Sequence, residues 1–277
     1  MIHPKVILTA GHLHSQPTEV LAELLIRSEV TVAGIIVVSV LNPKRILALI
    51  RQHGIDAAFH RFRSSVDPTA KKNTRQTDPS SESHTPMAAL LYRHHIRIQG
   101  LRTWCKNAGV PLKIVKDLNS EATIDVVRTW SADAAIYTGG GILRSNFIDA
   151  AKKVLNAHAG PLPEIRGMNA AEWSALLKIR PEITVHFIDQ GIDTGAPIAT
   201  FAYKRLNFST VDALREAAVV AGIEGLHRVV IDRMFECTPQ ISPSAPTHRQ
   251  CFIMAPALMD ILRQRLYAAH VKSTASP

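Results

Sequence analysis

The stretch VTVAGIIVVSV, Val30–Val40, decides the fold class. It is β-branched and apolar without alternation, the pattern of a strand covered on both faces, as in a parallel sheet flanked by helices. The same grammar extends outward from it. KVILTA (Lys5–Ala10) reads as a short buried strand, and PTEVLAELLIRS (Pro17–Ser28) has helical period with Pro17 suited to a first turn. PKRILALIRQHG (Pro43–Gly54) reads as a helix ending in Gly. This strand–helix rhythm predicts an α/β fold, doubly wound on a mostly parallel twisted sheet.

Farther along, composition changes. The segment 60–86 is polar and Ser/Thr-rich and reads as a long mobile insertion. A helix is expected from Met87 to about Asn107, then the strand PLKIVKD, then the helix NSEATIDVVRTW with Asn119 or Ser120 as its cap. ADAAIYTGGG is a strand running into a glycine turn, and VLNAH is the next strand. MNAAEWSALLK is a helix in which Asn169 and Glu172 fit a capping pattern. EITVHFID (Glu182–Asp189) and APIATFAYKRL read as strands, and a long helix is expected over about 210–235. A Pro/Ser linker (Ser242–Pro246) leads to a last amphipathic helix over about 257–269. These elements suggest an α/β domain over 1–206 and a helical C-terminal extension over 207–277.

Composition narrows the classes. With 46% hydrophobic and 20% charged residues, the chain is an ordinary globular protein. Its three cysteines are far apart, so no disulfide framework is implied and a reducing cytoplasm is the default. No signal peptide is read at the N-terminus, and the longest apolar run is too short to span a bilayer. A net charge of +9 favours anionic partners. A nucleic-acid module is disfavoured, because basic residues are not interleaved with aromatics.

Three stretches at strand ends carry polar chemistry: YTGGGIL, LNAHAGPLPEIRG (Leu155–Gly167) and HFIDQGIDTG. Asn156 and His158 share one face of a strand. His186 and Asp193 follow in the third stretch. A histidine can exchange a proton near pH 7, a carboxylate would orient it, and an Asn amide can donate to a developing oxyanion. The set suits acyl-type transfer without a covalent enzyme intermediate, since no Ser or Cys sits in a nucleophile elbow. Two histidines and an aspartate also admit a metal site, although helical His-Glu-x-x-His spacing and clustered cysteines are absent.

LNAHAGPLPEIRG followed by TVHFIDQGIDTG resembles the signature of the folate-dependent formyltransferases. That family includes the glycinamide ribonucleotide, methionyl-tRNA and sugar-nucleotide N-formyltransferases. The resemblance is specific over about 112–206 and is one of rhythm only before that. It implies a Rossmann-like formyltransferase domain over 1–206. It also implies transfer of a formyl group from the co-substrate 10-formyltetrahydrofolate to a primary amine, by direct attack through a tetrahedral intermediate, with no metal. The family's catalytic Asn, His and Asp fall on Asn156, His158 and Asp193, with His186 as a second histidine. The folate would lie against Gly141, Ile142 and Leu143 and against the backbone of the loop holding Asp189 and Gly191. The expected acceptor is a small anionic amine, first an amino-sugar nucleotide. The alternatives are an RNA-borne amine and a non-catalytic folate-binding protein. A homodimer is left open. Arg166 is a candidate contact to an anionic acceptor, or packs on its loop. His12 and His14 stand where glycinamide ribonucleotide enzymes carry a phosphate loop, which makes such a loop doubtful here. They are candidate acceptor contacts or exposed loop residues.

Overall fold

The computed structural model describes residues 3–39, 85–203, 208–237 and 249–274. The expected helix Pro43–Gly54, nearly all of the insertion 60–86 and the Ser242–Pro246 linker lie outside these residues. In chain order the described elements begin with β1 (Lys5–Ala10), α1 (Gln16–Arg27), β2 (Thr31–Val38), α2 (Pro86–Arg93), α3 (Leu101–Ala108), β3 (Leu112–Val115) and α4 (Glu121–Trp130). They continue with β4 (Ala134–Tyr137), α5 (Ser145–Ala151), β5 (Val154–His158), β6 (Ile165–Gly167) and α6 (Ala170–Leu176). The last are β7 (Glu182–Phe187), β8 (Pro197–Ala202), α7 (Val211–Ile231), a short 3₁₀ turn, β9 (Arg249–Cys251) and α8 (Pro256–Thr274). The class is the one expected, α/β with a mostly parallel sheet and flanking helices.

The chain divides into two compact units, Met1–Ser83 with Ile96–Val154, and His84–His95 with Leu155–Pro277. In the first unit β1 pairs in parallel with β2 and β4, and β2 with β3. Val6, Leu8, Ile35 and Ile36 are fully buried, as the continuous apolar runs require. In the second unit β7 lies between β5 and β8 and runs antiparallel to both. The long helix α7 packs on β7 and β8 within this unit. One face of α8, carrying Met259 and Leu262, packs in a cluster with Val211 and Met254.

Three expectations change. The single helix predicted over Met87–Asn107 is two, α2 and α3. The chain leaves helical geometry at His95 (φ 50°) and Gly100 (φ 85°). The freed N–H groups of Gln99 and Gly100 then donate to the buried carboxylate of Glu19, at 2.6 and 2.9 Å. Inside a continuous helix those groups would be consumed by carbonyls one turn back. Second, the strand predicted to Asp189 stops at Phe187. Third, β6 and β9 form a parallel pair, so a strand sits within the region read as helical.

Candidate active site

Strand pairing in the second unit assembles the site. The antiparallel register sets Asn156 opposite His186, and His158 opposite Thr184. Directly opposed residues project to the same face of a sheet. The stretches lie at strand ends as expected, and it is the cross-strand register that brings Asn156 and His186 together. Asn156 Nδ2 donates to His186 Nε2 at 3.1 Å, and His186 Nδ1 donates to the Phe187 carbonyl at 2.7 Å. Those partners fix His186 as the Nδ1–H tautomer, with Nε2 as acceptor. Burial, then the charge of His158, lowers the His186 pKa to about 4 against the opposing pull of Asp193 and the Phe187 carbonyl.

The loop after β5 is tied back onto β7. Thr184 Oγ1 donates to the Gly160 carbonyl at 2.8 Å and accepts from Leu162 N at 3.0 Å. Ile165 N donates to the Pro161 carbonyl at 2.8 Å, which turns the chain into β6. The Ile165 carbonyl then accepts a hydrogen bond from His158 Nε2 at 2.8 Å.

Asp193 arrives from the loop after β7. Asp189 Oδ1 accepts from Gly191 N at 3.0 Å and from Thr194 Oγ1 at 2.6 Å, closing the loop on itself. Asp193 adopts the left-handed region (φ 51°), which Asp tolerates better than most residues. Its Oδ2 lies 3.3 Å from His158 Nδ1 and accepts from Gly167 N at 2.8 Å, while Oδ1 lies 3.7 Å from His186 Nε2. Both nitrogens of His158 therefore face acceptors. With Nε2 donating to the Ile165 carbonyl, the contact to Asp193 is satisfied only when a second proton lies between imidazole and carboxylate. Burial lowers the His158 pKa, and Asp193 and the Ile165 carbonyl oppose that shift. All four expected catalytic residues thus come together in one unit.

The glycine turn belongs to the first unit. Gly139, Gly140 and Gly141 all have positive φ (137°, 133° and 104°). A Cβ on Gly139 would sit 3.2 Å from Gly11 N, so the glycine also permits close backbone approach. Tyr137 Oη donates to the Gly141 carbonyl at 2.8 Å. Asn119 Nδ2 donates to the Ile142 carbonyl at 2.9 Å, and its Oδ1 accepts from Arg144 N at 2.7 Å. Asn119, offered as a helix cap, instead clamps this turn; Ser120 takes the N-cap position of α4. The Ile142 side chain is exposed and Leu143 is buried in its own unit. Asp189 and Gly191 lie in the self-closed loop of the second unit, where both are exposed.

Arg166 lies between Ile165 and Gly167, the two residues whose backbone holds His158 and Asp193. Its Nε is buried and has no hydrogen-bond partner. Asn169 stands at the N-cap position of α6, but its side chain turns to Glu172 and to Met254 N (2.9 and 3.1 Å) rather than capping the helix. Trp173 packs with both small clusters of this unit. Among the described residues, no group of three or more His, Cys, Asp or Glu side chains is placed to hold a metal ion, and no helix is long and apolar enough to cross a membrane.

The fold is one shared with solved formyltransferases. Residues 99–230 match the formyl transferase family. Methionyl-tRNA formyltransferase from Finegoldia magna is 25% identical over 127 residues, 45% of this chain and 41% of that relative. The chain thus matches less than half the length of this curated relative. Phosphoribosylglycinamide formyltransferase from Anaplasma phagocytophilum shares the fold with a TM-score of 0.54 at 16% identity, covering 91% of this chain and 100% of that one. An N-formyltransferase from Helicobacter canadensis, solved with folinic acid and dTDP-3-aminofucose, aligns with a TM-score of 0.54 at 12% identity, covering 95% of this chain and 80% of that one.

Proposed function

We propose that this chain transfers a formyl group from 10-formyltetrahydrofolate to the primary amine of a small anionic acceptor, with an amino-sugar nucleotide as first choice. The observation that carries this reading is the gathering of Asn156, His158, His186 and Asp193 by strand register and by two closed loops. The folate supplies the formyl carbon. Residues of this chain do the rest. Asn156 gives one amide hydrogen to His186 and keeps the second for the oxygen that gains charge as the amine attacks. Neutral His186 aims that amide. His158, which Asp193 draws towards its protonated form against the effect of burial, supplies positive charge beside the same oxygen when it carries the proton. Asp193 takes up, through water, the proton that the amine loses as its bond to carbon forms. That proton reaches the folate nitrogen as the carbon–nitrogen bond to it breaks and the electron pair returns to nitrogen.

Folate contacts are assigned to main-chain groups. The loop Asp189–Asp193 fits that role because its one carboxylate clamp is spent internally and Gly191 leaves no room for a Cβ, which would lie 2.0 Å from Thr194 Oγ1. We assign the Gly141–Leu143 turn the same kind of contact on its own account. Arg166, a cation whose Nε lacks an acceptor, is assigned to an anionic group of the acceptor. The Helicobacter structure, which holds an amino-sugar nucleotide, supports the first choice. An RNA-borne amine is the second reading, and the similarity to methionyl-tRNA formyltransferase favours it. A reducing cytoplasm suits the three unpaired cysteines.

The test is tetrahydrofolate release against a panel of amino-sugar nucleotides, glycinamide ribonucleotide, charged initiator tRNA and no acceptor. Release with an amino-sugar nucleotide alone is expected. Release with tRNA alone selects the second reading. Release without acceptor indicates a hydrolase, and folate binding with no release indicates a binding protein.

A further inference from the structure

We infer that the C-terminal strand β9, which lies outside the matched segment 99–230, is a positioning element for the His158–Asp193 pair and acts through β6. This rests on the proposed site. In a strand, the N–H and C=O of one residue point to one edge and those of the next residue to the other. On one edge of β6 the Ile165 carbonyl accepts from His158 Nε2 and Gly167 N donates to Asp193 Oδ2, each at 2.8 Å. On the opposite edge the Glu164 carbonyl accepts from Arg249 N at 3.1 Å, and Met168 N donates to the Cys251 carbonyl at 2.9 Å. Three residues of β6 are thus held between the proton-sharing pair and β9, with Arg166 in register with Gln250.

The fit is close. A Cβ on Gly167 would lie 2.2 Å from the Cys251 oxygen, so the glycine is what lets β9 approach. Side chains of α6 and its N-cap then fasten the residues just after β9. Met254 N donates to Asn169 Oδ1 at 3.1 Å, and Trp173 Nε1 donates to the Phe252 carbonyl at 2.9 Å. Ile165, Ala170 and Cys251 form one buried cluster, and α8 anchors the far end through Met259 and Leu262. Such a strap sets the distance of β6 from the pair, to which proton sharing is sensitive.

The test uses the full chain and compares Cys251→Pro with Gln250→Pro. The backbone groups of Cys251 face β6, whereas those of Gln250 face away, so proline disrupts the pairing only at 251. The readout is the NMR titration of the His158 ring, which does not require turnover, with kcat and KM measured alongside. In Cys251→Pro, loosening the Ile165 carbonyl is expected to move the His158 titration to lower pH and to cut kcat about tenfold or more, with KM for folate nearly unchanged. Gln250→Pro should match wild type. A folded Cys251→Pro with unmoved titration and kcat, or equal changes in both proline variants, overturns the inference. If Cys251→Pro does not fold, Trp173→Phe decides, since it removes the bond to Phe252 while keeping an aromatic ring in the two clusters. A smaller downward shift supports the strap and no shift rejects it. A wild type that shows the His158 titration but no formyl transfer would sink the functional reading while leaving the strap to be judged by titration.

Discussion

The turn Gly139–Arg144 in the first unit and the loop Asp189–Gly195 in the second are both irregular, and they are held in opposite ways. The turn takes positive φ at three successive glycines and is clamped from outside by Asn119 and Tyr137. The loop is clamped from within, by Asp189 reaching Gly191 N and Thr194 Oγ1, and presents Asp193 at its end. An external clamp leaves the turn's main chain adjustable without disturbing its neighbours. An internal clamp fixes one side chain, and here that side chain carries the charge on which His158 depends. Perturbing the loop should therefore change chemistry, and perturbing the turn should change binding.

The sharpest way to break that contrast is Asp193→Asn. Asn tolerates the left-handed backbone and can still accept from Gly167 N, so the change isolates the charge. kcat is expected to fall about a hundredfold or more with the fold intact, checked by steady-state kinetics with circular dichroism. A variant within about threefold of wild type would remove Asp193 from the chemistry.

The next effect is on stability against pH. Burial lowers the His186 pKa from its ordinary 6.5 to about 4. As pH falls through 6.5 the unfolded chain takes up a proton on this side chain and the folded chain does not. Its contribution to stability is therefore fully present above about pH 6.5, is lost between there and about 4, and changes no further below. Burial shifts His158 in the same direction, so the trend should be shared. Urea unfolding at pH 7 and pH 5 should show a marked drop in wild type and a smaller drop in His186→Gln. Equal drops would mean that His186 is not held neutral.

Glycine replacements compare the two units directly. A Cβ on Gly34 of β2 meets the far end of the Trp130 ring at 2.4 Å, and a ring can shift. A Cβ on Gly195 meets the Phe187 carbonyl oxygen at 1.8 Å, and backbone cannot give way so cheaply. Gly34→Ala should cost about 1–3 kcal/mol and Gly195→Ala more, measured by thermal or urea unfolding. Only Gly195→Ala should also lower kcat, because it displaces Asp193.

The range of each interaction decides how much of the fold and site was legible in the sequence. Continuous apolar runs such as Val30–Val38 declare buried strands because burial on both faces needs nothing but local composition. Asn156, His158, His186 and Asp193 stood out because their motifs are compact. Their geometry was not legible, since the antiparallel register that sets Asn156 opposite His186 depends on pairing 30 residues away. The break between α2 and α3 was hidden because its cause, Glu19, lies 80 residues upstream. The pairing of β6 with β9 joins two segments of three residues each, too short to carry a period.

Asn119 was missed for the same reason, and it gives the gentlest test of the opening contrast. It bridges 23 residues to the Ile142 carbonyl and 25 to Arg144 N from a half-buried position. Its place beside Ser120 at the start of a helical pattern suggested a cap and not a clamp. Removing this clamp loosens the turn without touching the histidines or Asp193. For Asn119→Ala, KM for folate should rise about three- to tenfold with kcat unchanged, the signature of lost uniform binding. Asn119→Asp, which keeps an acceptor for Arg144 N but loses the donor to Ile142, should fall between. If instead kcat drops and KM holds, the turn participates in the chemical step, and the division between a binding turn and a catalytic loop fails at the place where the two were held most differently.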